Sequence, residues 1–292
     1  MKSTYALLFL WIAIGCSHTK SEIKSEDSYS YRREYTVGEA LSYKLTAKVN
    51  SSTVTGFSEH IVKAEGDDIF EAVEFTHMIQ NGNDIDLQND PKASLSLSLT
   101  GREESVTFDG SVDLIGLKAD LATFYNALTF EGGAARVQKE GDRFIAKNLV
   151  SAQIKNEEVD DGSVPQLLEY KSCTSYSIEM VELTSDQARY KAVYAEPEKP
   201  CNMTPMYTWM KGAMNFQHFM KVQNGYNIMW GAEKFELLIT VDRKTGRISS
   251  GEFAENYLKG NYRLCSDPVN EICSRPADKL EIRRTVTLSE QR

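Results

Sequence analysis

The sequence has little of what marks an enzyme or a nucleic-acid binder. It holds four histidines in 292 residues, His18, His60, His77 and His218, and no HExxH pair, which excludes a helix-borne zinc protease site. No GxSxG segment occurs, which removes the nucleophile elbow of the α/β-hydrolases. No GxGxxG or P-loop occurs, which removes the usual cradles for nucleotide phosphates. Lysine and arginine number 33 against 42 aspartates and glutamates, net −9, with no basic block. Phosphate neutralisation needs clustered cations, so no nucleic-acid partner is expected. Nor is there an apolar run near the ~20 residues that a membrane-spanning helix requires. No cofactor, no metal ligand set and no catalytic residue is assigned from the sequence, and the histidines are expected to be isolated.

What is present begins at the amino end. Lys2 is followed by an apolar stretch from Tyr5 to Ile14, then Gly15 and Cys16. Residues 1–15 read as a secretory signal peptide: a basic start, a short apolar middle and a small residue before the cut. Polar Ser17, His18, Thr19 and Lys20 follow at once, so no stop-transfer pattern continues it. A cysteine directly after such a stretch resembles the lipobox of bacterial lipoproteins, although Ala13 stands where leucine is usual. The resemblance implies that the Cys16 thiol receives a diacylglycerol and that Cys16 becomes the mature N-terminus. Ser17 rather than aspartate after the cysteine implies, by the same resemblance, the periplasmic face of the outer membrane. Each buried methylene contributes ~0.8 kcal/mol, and two or more chains anchor stably. Loss of Lys2 with the leader leaves 32 basic against 42 acidic residues, net −10. Acyl chains, not anionic headgroups, must therefore hold the protein at a membrane.

Residues 16–34 are the lipidated cysteine and a polar stretch, SHTKSEIKSEDSYSYRRE, with Ile23 its one aliphatic residue. They read as a flexible tether. Residues 35–292 read as the globular domain. The acidic stretch at 156–162 is a candidate subdivision or a long turn. The four remaining cysteines, Cys173, Cys201, Cys265 and Cys273, form an even set in an exported chain and read as two disulfides. Of three pairings, the neighbours Cys173–Cys201 and Cys265–Cys273 are favoured, worth about 3.5 and 2.5 kcal/mol on the loop-entropy model. A zinc site would want CxxC or HxxxH spacing, which is absent.

From Tyr35 onward the dominant period is two. Leu41, Tyr43, Leu45, Ala47 and Val49 alternate with polar neighbours, as a half-buried strand should. The pattern recurs at 57–62, 69–79, 94–99, 104–108, 175–183, 188–194, 235–241, 247–253 and 280–288. In the last of these, Arg284 is the misfit among Leu280, Ile282, Val286 and Leu288. The pair flanking Asp242–Gly246 is the clearest hairpin, with Gly246 suited to a left-handed position. The oxygen-rich run Asn81–Asp90 fails an EF-hand register, since Asn89 replaces the turn glycine and Leu95 the bidentate glutamate; a solvated hairpin loop is expected.

Two stretches break the rhythm. Val112–Leu128 carries Leu114, Leu117, Leu121, Phe124, Tyr125 and Leu128 at helical spacing, and Gly132-Gly133 follows as a stop. Thr204–Val222 opens with Pro205 in its first turn and places Met206, Trp209, Met210, Ala213, Phe216 and Met220 on one face, predicting a second amphipathic helix. Six of the nine methionines lie between 203 and 229. Copper handlers use soft thioethers but in tight repeats, and here only Met203 and Met206 are so spaced. Methionine also fills cores and adaptable apolar surfaces, so Met206, Trp209, Met210, Phe216, Met220 and Trp230 are the candidates to line an apolar pocket.

The expected fold is α+β and β-rich: a large twisted antiparallel sheet or open half-barrel packed by two amphipathic helices. In general pattern this is similar to the half-barrel carriers of the LolA/LolB type, with no residue motif in common. The function expected is that of a membrane-anchored envelope lipoprotein that binds a lipid or other apolar ligand, or an envelope protein partner, without catalysis. The alternative is an envelope hydrolase acting on glycan or peptidoglycan through carboxylates that only folding brings together.

Overall fold

The computed structural model describes residues 28–66, 68–87, 94–98, 112–129, 133–153, 166–195, 204–212, 214–274 and 277–291. Period-two patterning dominates the chain, and strands dominate the structure. They are β1 Ala40–Val49, β2 Ser52–Glu65, β3 Asp68–Gln80, β4 Asn83–Asp86, β5 Ser94–Ser98, β6 Arg143–Gln153, β7 Gln166–Leu183 and β8 Gln187–Ala195. After them come β9 Phe216–Val222, β10 Gly225–Asp242, β11 Ile248–Asp267, β12 Ile272–Cys273 and β13 Asp278–Gln291. Between β5 and β6 lie the long helix α1, Val112–Thr129, and the single turn α2, Gly133–Arg136.

All strands join one sheet in the order β4-β3-β2-β1-β13-β11-β10-β8-β7-β6, with β5 on β3, β12 on β11, and β9 between β10 and β7. Every pairing is antiparallel, including the junction of first and last strands, where Leu45 faces Leu288 and Ala47 faces Val286. The path is open, ending at β4 and at β6. Turn chemistry matches: Asn81 and Gly82 have φ of 50° and 86° between β3 and β4, as a two-residue hairpin turn of this kind requires.

The alternation predicted for β1 holds, with Leu41, Tyr43, Leu45 and Ala47 buried. They belong to one cluster with Val73 and Phe75 of β3, Ile178 and Met180 of β7, Tyr190 and Ala192 of β8, Leu237 and Ile239 of β10, and Leu288 of β13. Both halves of the sheet therefore contribute to one core, and α1 lies at its centre. Leu117, Leu121, Phe124, Tyr125 and Leu128, the predicted face of α1, are all buried there. Two glycines let the helix approach. A Cβ on Gly56 of β2 would lie 2.9 Å from Leu117 Cδ1, and one on Gly251 of β11 would lie 2.5 Å from Phe124 Cε1.

The second amphipathic helix is not formed. Residues 204–212, 214 and 215 form no helix, and Phe216–Val222 is strand β9, hydrogen-bonded to β10 and to β7. Gly212 has φ of 107°, a conformation no right-handed helix contains. The sheet offered two partner edges, and Phe216, His218 and Met220 also fit period two. Among the described residues α1 is the only long helix, and none is long and apolar enough to cross a membrane.

Residues 28–34, read as part of a tether, are packed on the domain. Tyr31 and Arg33 are buried. Tyr29 N–H donates to Gln138 O at 2.8 Å, Glu34 N–H to Thr245 O at 2.8 Å, and Gly38 N–H to Val62 O at 2.9 Å. Residues 28–39 thus form a strap over the β10–β11 turn. Gly246 of that turn has φ of 70°, the left-handed position expected of it. A Cβ there would also overlap the Arg32 carbonyl. The stretch at 156–162 lies outside the described residues, but β6 and β7 on either side of it pair along their length.

Candidate functional site

Three clusters merit chemical reading. The first is the predicted apolar pocket. Met210, Phe216 and Trp230 are buried, and Met206, Trp209 and Met220 are partly so. Met206, Trp209, Met210 and Trp230 join Ile228, Phe219, Tyr226 and Cys265 in a second, smaller core beneath the 204–215 loop. The rings pack on one another: Trp209 lies 5.6 Å from Trp230, edge to face, and stacks on Tyr207 at 5.4 Å. Both indole N–H groups are used, Trp209 to Pro268 O and Trp230 to Lys211 O, each at 2.9 Å. Two amide side chains shape the loop. Buried Gln217 accepts from Met206 N–H at 2.7 Å and donates to Thr204 O at 3.0 Å, and Asn215 exchanges two hydrogen bonds with the Glu233 backbone. Four of the six predicted residues assemble, around one another; Phe216 and Met220 are not part of this cluster.

Of the cysteines, Cys265 and Cys273 form the expected disulfide across β11 and β12. Cys201 and the side chain of Cys173 lie outside the described residues, as does Cys16.

The second cluster was invisible to sequence motifs. Ser58 and His60 alternate onto the inner face of β2. Ser58 Oγ lies 3.1 Å from His60 Nε2, and His60 Nδ1 lies 3.3 Å from Glu71 Oε2 on β3. That is the connectivity of a serine–histidine–acid relay. The same Glu71 oxygen accepts from the Tyr125 hydroxyl at 3.1 Å, and Oε1 accepts from Arg33 Nε at 3.1 Å and Nη2 at 2.9 Å. Burial pushes the Glu71 carboxyl up, but His60 and then Arg33 outweigh it and hold it below the usual value. Access decides the chemistry: Ser58 is 3% exposed and His60 and Glu71 1% each, so no substrate carbonyl reaches the hydroxyl. The cluster is a sealed network joining the strap, β2, β3 and α1. His60 is accordingly not the isolated residue expected. His77, by contrast, is part-exposed 3.7 Å from Asp84, and burial lowers His218 on β9 to about 4, so its imidazole is neutral.

The third cluster explains the misfit on β13. Arg284 pairs with Asp120 of α1 and faces Glu255 across the β11–β13 ladder. Glu255 sits where β11 shifts register, beside a bulge after Lys234 in β10. There it hydrogen-bonds the Glu233 carboxyl. Three carboxyls share one guanidinium, and burial dominates each of them. Asp120 is pushed up to about 6 against the pull of Arg284. Glu233 is pushed up to about 7 by burial and then by the charge and hydrogen bond of Glu255. Glu255 is raised as well. Asp120 Oδ2 and Arg284 Nε are buried with no hydrogen-bond partner among the described residues. The hydrogen bond between Glu233 and Glu255 pulls Glu233 up and Glu255 down, as in a carboxyl pair too close for both to ionise. Among the described residues no group of three or more His, Cys, Asp or Glu side chains is arranged to hold a metal ion.

No protein-family model matches this chain, and no curated protein matches it.

Proposed function

We propose that this chain is an envelope lipoprotein, held at the periplasmic face of the outer membrane through Cys16, that acts by binding a partner protein and not by catalysis. The observation that favours a protein over an internal lipid is the place of α1. Its buried leucines and aromatics occupy the inner face of the sheet, where a half-barrel carrier would hold its cargo, and Gly56 and Gly251 admit them at contact distance. The methionine- and tryptophan-rich region is also packed against itself. A sheet filled on its inner face offers its ends, edges and outer face for recognition.

The hydrolase reading has one observation in its favour, the raised Glu233 and Glu255 pair. Glycoside hydrolysis places its two carboxyls at least ~5 Å apart, with the sugar between them. Here the two hydrogen-bond each other, with Glu255 6% exposed and Glu233 half-buried. Their arrangement favours a structural proton store.

Native mass spectrometry of the full-length chain, extracted in mild detergent, tests the choice. The expected spectrum shows the diacylated chain with no further lipid in the domain, and a hetero-complex after cross-linking. Stoichiometric non-covalent lipid would return the carrier reading; turnover of peptidoglycan or glycan substrates would return the hydrolase.

A further inference from the structure

Both ends of the described chain lie at one end of the molecule. The strap at residues 28–39 binds the β10–β11 turn at Thr245, and Glu290 of β13 lies beside Arg247 of the same region. Strand β10 runs from there, at Asp242, to Gly225, next to the disulfide ribbon where Tyr226 faces Cys265. Eighteen residues of strand carry the chain on the order of 55 Å. The ribbon thus lies at the opposite end of β10 from the strap. A chain anchored at Cys16 has 12 residues to reach Ser28, at most about 40 Å when fully extended.

That far end is apolar. Val269 is 77% exposed, Ile272 57% and Leu264 38%, three of the seven exposed large hydrophobics among the described residues, within nine positions. Cys265 and Cys273 face the small core, so strand alternation turns Leu264 and Ile272 outward. The patch is held stiffly. The disulfide joins its two strands, Trp209 ties the turn at Pro268 O, and Asp267 accepts from the Val269 and Asn270 N–H groups at 3.0 and 3.1 Å. Exposed apolar patches on monomers commonly mark recognition sites, and a rigid patch loses little entropy on binding. Acid residues border it: Asp267, held ionised by its Asn270 hydrogen bonds, and Glu271, 51% exposed at its side chain and paired with Arg263.

We infer that the disulfide-bonded tip, Leu264, Val269 and Ile272 with Asp267 and Glu271 at its rim, docks into an apolar pocket edged with basic residues on a partner protein. This rests on the partner-binding reading and names its surface. The acid rim favours a protein over a bilayer, because insertion would bring an ionised Asp267 against acyl chains or anionic headgroups. Basic residues around a pocket suit that rim, and also the mature net charge of −10, which steers encounter.

Photo-cross-linking of the full-length chain in membranes from its own cells is the test. A benzophenone amino acid replaces Val269 in one preparation, Val37 (58% exposed) at the strap end in a second, and Ile145 (50% exposed) on β6 in a third. The expected result is an adduct with one protein species at position 269, at least tenfold above positions 37 and 145. Its yield falls severalfold as salt is raised enough to shorten the Debye length to a few Å. Ile272→Asp removes the adduct while leaving the melting temperature unchanged. Protein adducts at 37 or 145 but not 269 would overturn the tip and leave the partner reading standing. A lipid adduct at 269 would put the tip in a bilayer. A salt-insensitive adduct would remove the basic rim, and no protein adduct at any position would end both proposals.

Discussion

Arg33 and Glu71 are 38 residues apart in sequence and joined by two hydrogen bonds, from Nε at 3.1 Å and from Nη2 at 2.9 Å, with both side chains almost fully buried. The strap is therefore fastened to the core by a charge pair. Removing one member leaves the other buried and uncompensated, which costs about 3–5 kcal/mol. Arg33→Ala is expected to destabilise the domain by that amount in urea titration and to expose residues 28–39 to limited proteolysis. Arg33→Met with Glu71→Met should recover only part of the loss, since the buried Tyr125 hydroxyl and His60 would lose the carboxylate they share.

The two charged clusters give stability a pH optimum, and the signs oppose. Glu71 is lowered in the fold, so its contribution is present above the ordinary glutamate value and lost as pH falls through its folded value. Asp120 and Glu233 are raised, to about 6 and about 7. Between the unfolded and folded values the native state binds more protons, so these two make the domain more stable as pH falls from 8 toward 5. Each tenfold change in proton affinity is worth about 1.4 kcal/mol, so Asp120, which gains only below its folded value of about 6, contributes about 1.4 kcal/mol across that span. Urea midpoints measured from pH 8 to pH 3 should rise as pH falls, pass a maximum near the ordinary carboxylate values, about 4, and then fall. Glu233→Gln should flatten the part of the rise near pH 7, and Glu71→Gln the acid fall.

Much of this architecture is legible in the sequence. Alternation marks β1, the β7–β8 and β10–β11 hairpins and the closing strand, and three-and-four spacing marks α1. The second helix misleads because Met206, Trp209, Met210, Phe216 and Met220 satisfy helical spacing by coincidence. A vacant place between β7 and β10 is a tertiary fact that no local pattern carries. The strap is missed because Tyr29, Tyr31 and Arg33 sit in a segment too polar to suggest burial. Arg284 did carry a signal: a cation on an apolar strand face asks for a buried acid. Asp120, three residues after Leu117 on the apolar stripe of α1, is that acid. Ser58 and His60 likewise share the inward parity of β2, but their approach to Glu71 depends on the β2–β3 register.

The glycines beneath α1 set how closely the helix can sit. Gly251→Val would place branched carbon into the Phe124 ring, which is buried and cannot swing away. Overpacking of this kind costs about 1–3 kcal/mol. The expected outcome is a lower urea midpoint, with faster amide exchange concentrated in residues 112–129.

Reduction should act locally. The disulfide-bonded segment from Cys265 to Cys273 spans few residues, and on the entropy model its link is worth about 2.5 kcal/mol. Cys265→Ser with Cys273→Ser is expected to free the 267–271 turn and with it the Trp209 hydrogen bond to Pro268, read as a shift in tryptophan fluorescence. The α1 core, at the other end of β10, should keep its amide protection.

Attachment of acyl chains to Cys16 is the claim on which the membrane address rests. Cells expressing the full chain, fed an alkyne analogue of palmitate and analysed after click labelling, test it most directly. The account predicts a labelled, membrane-bound protein, and a Cys16→Ser variant that is unlabelled and released from the membrane fraction. An unlabelled wild-type chain would contradict it.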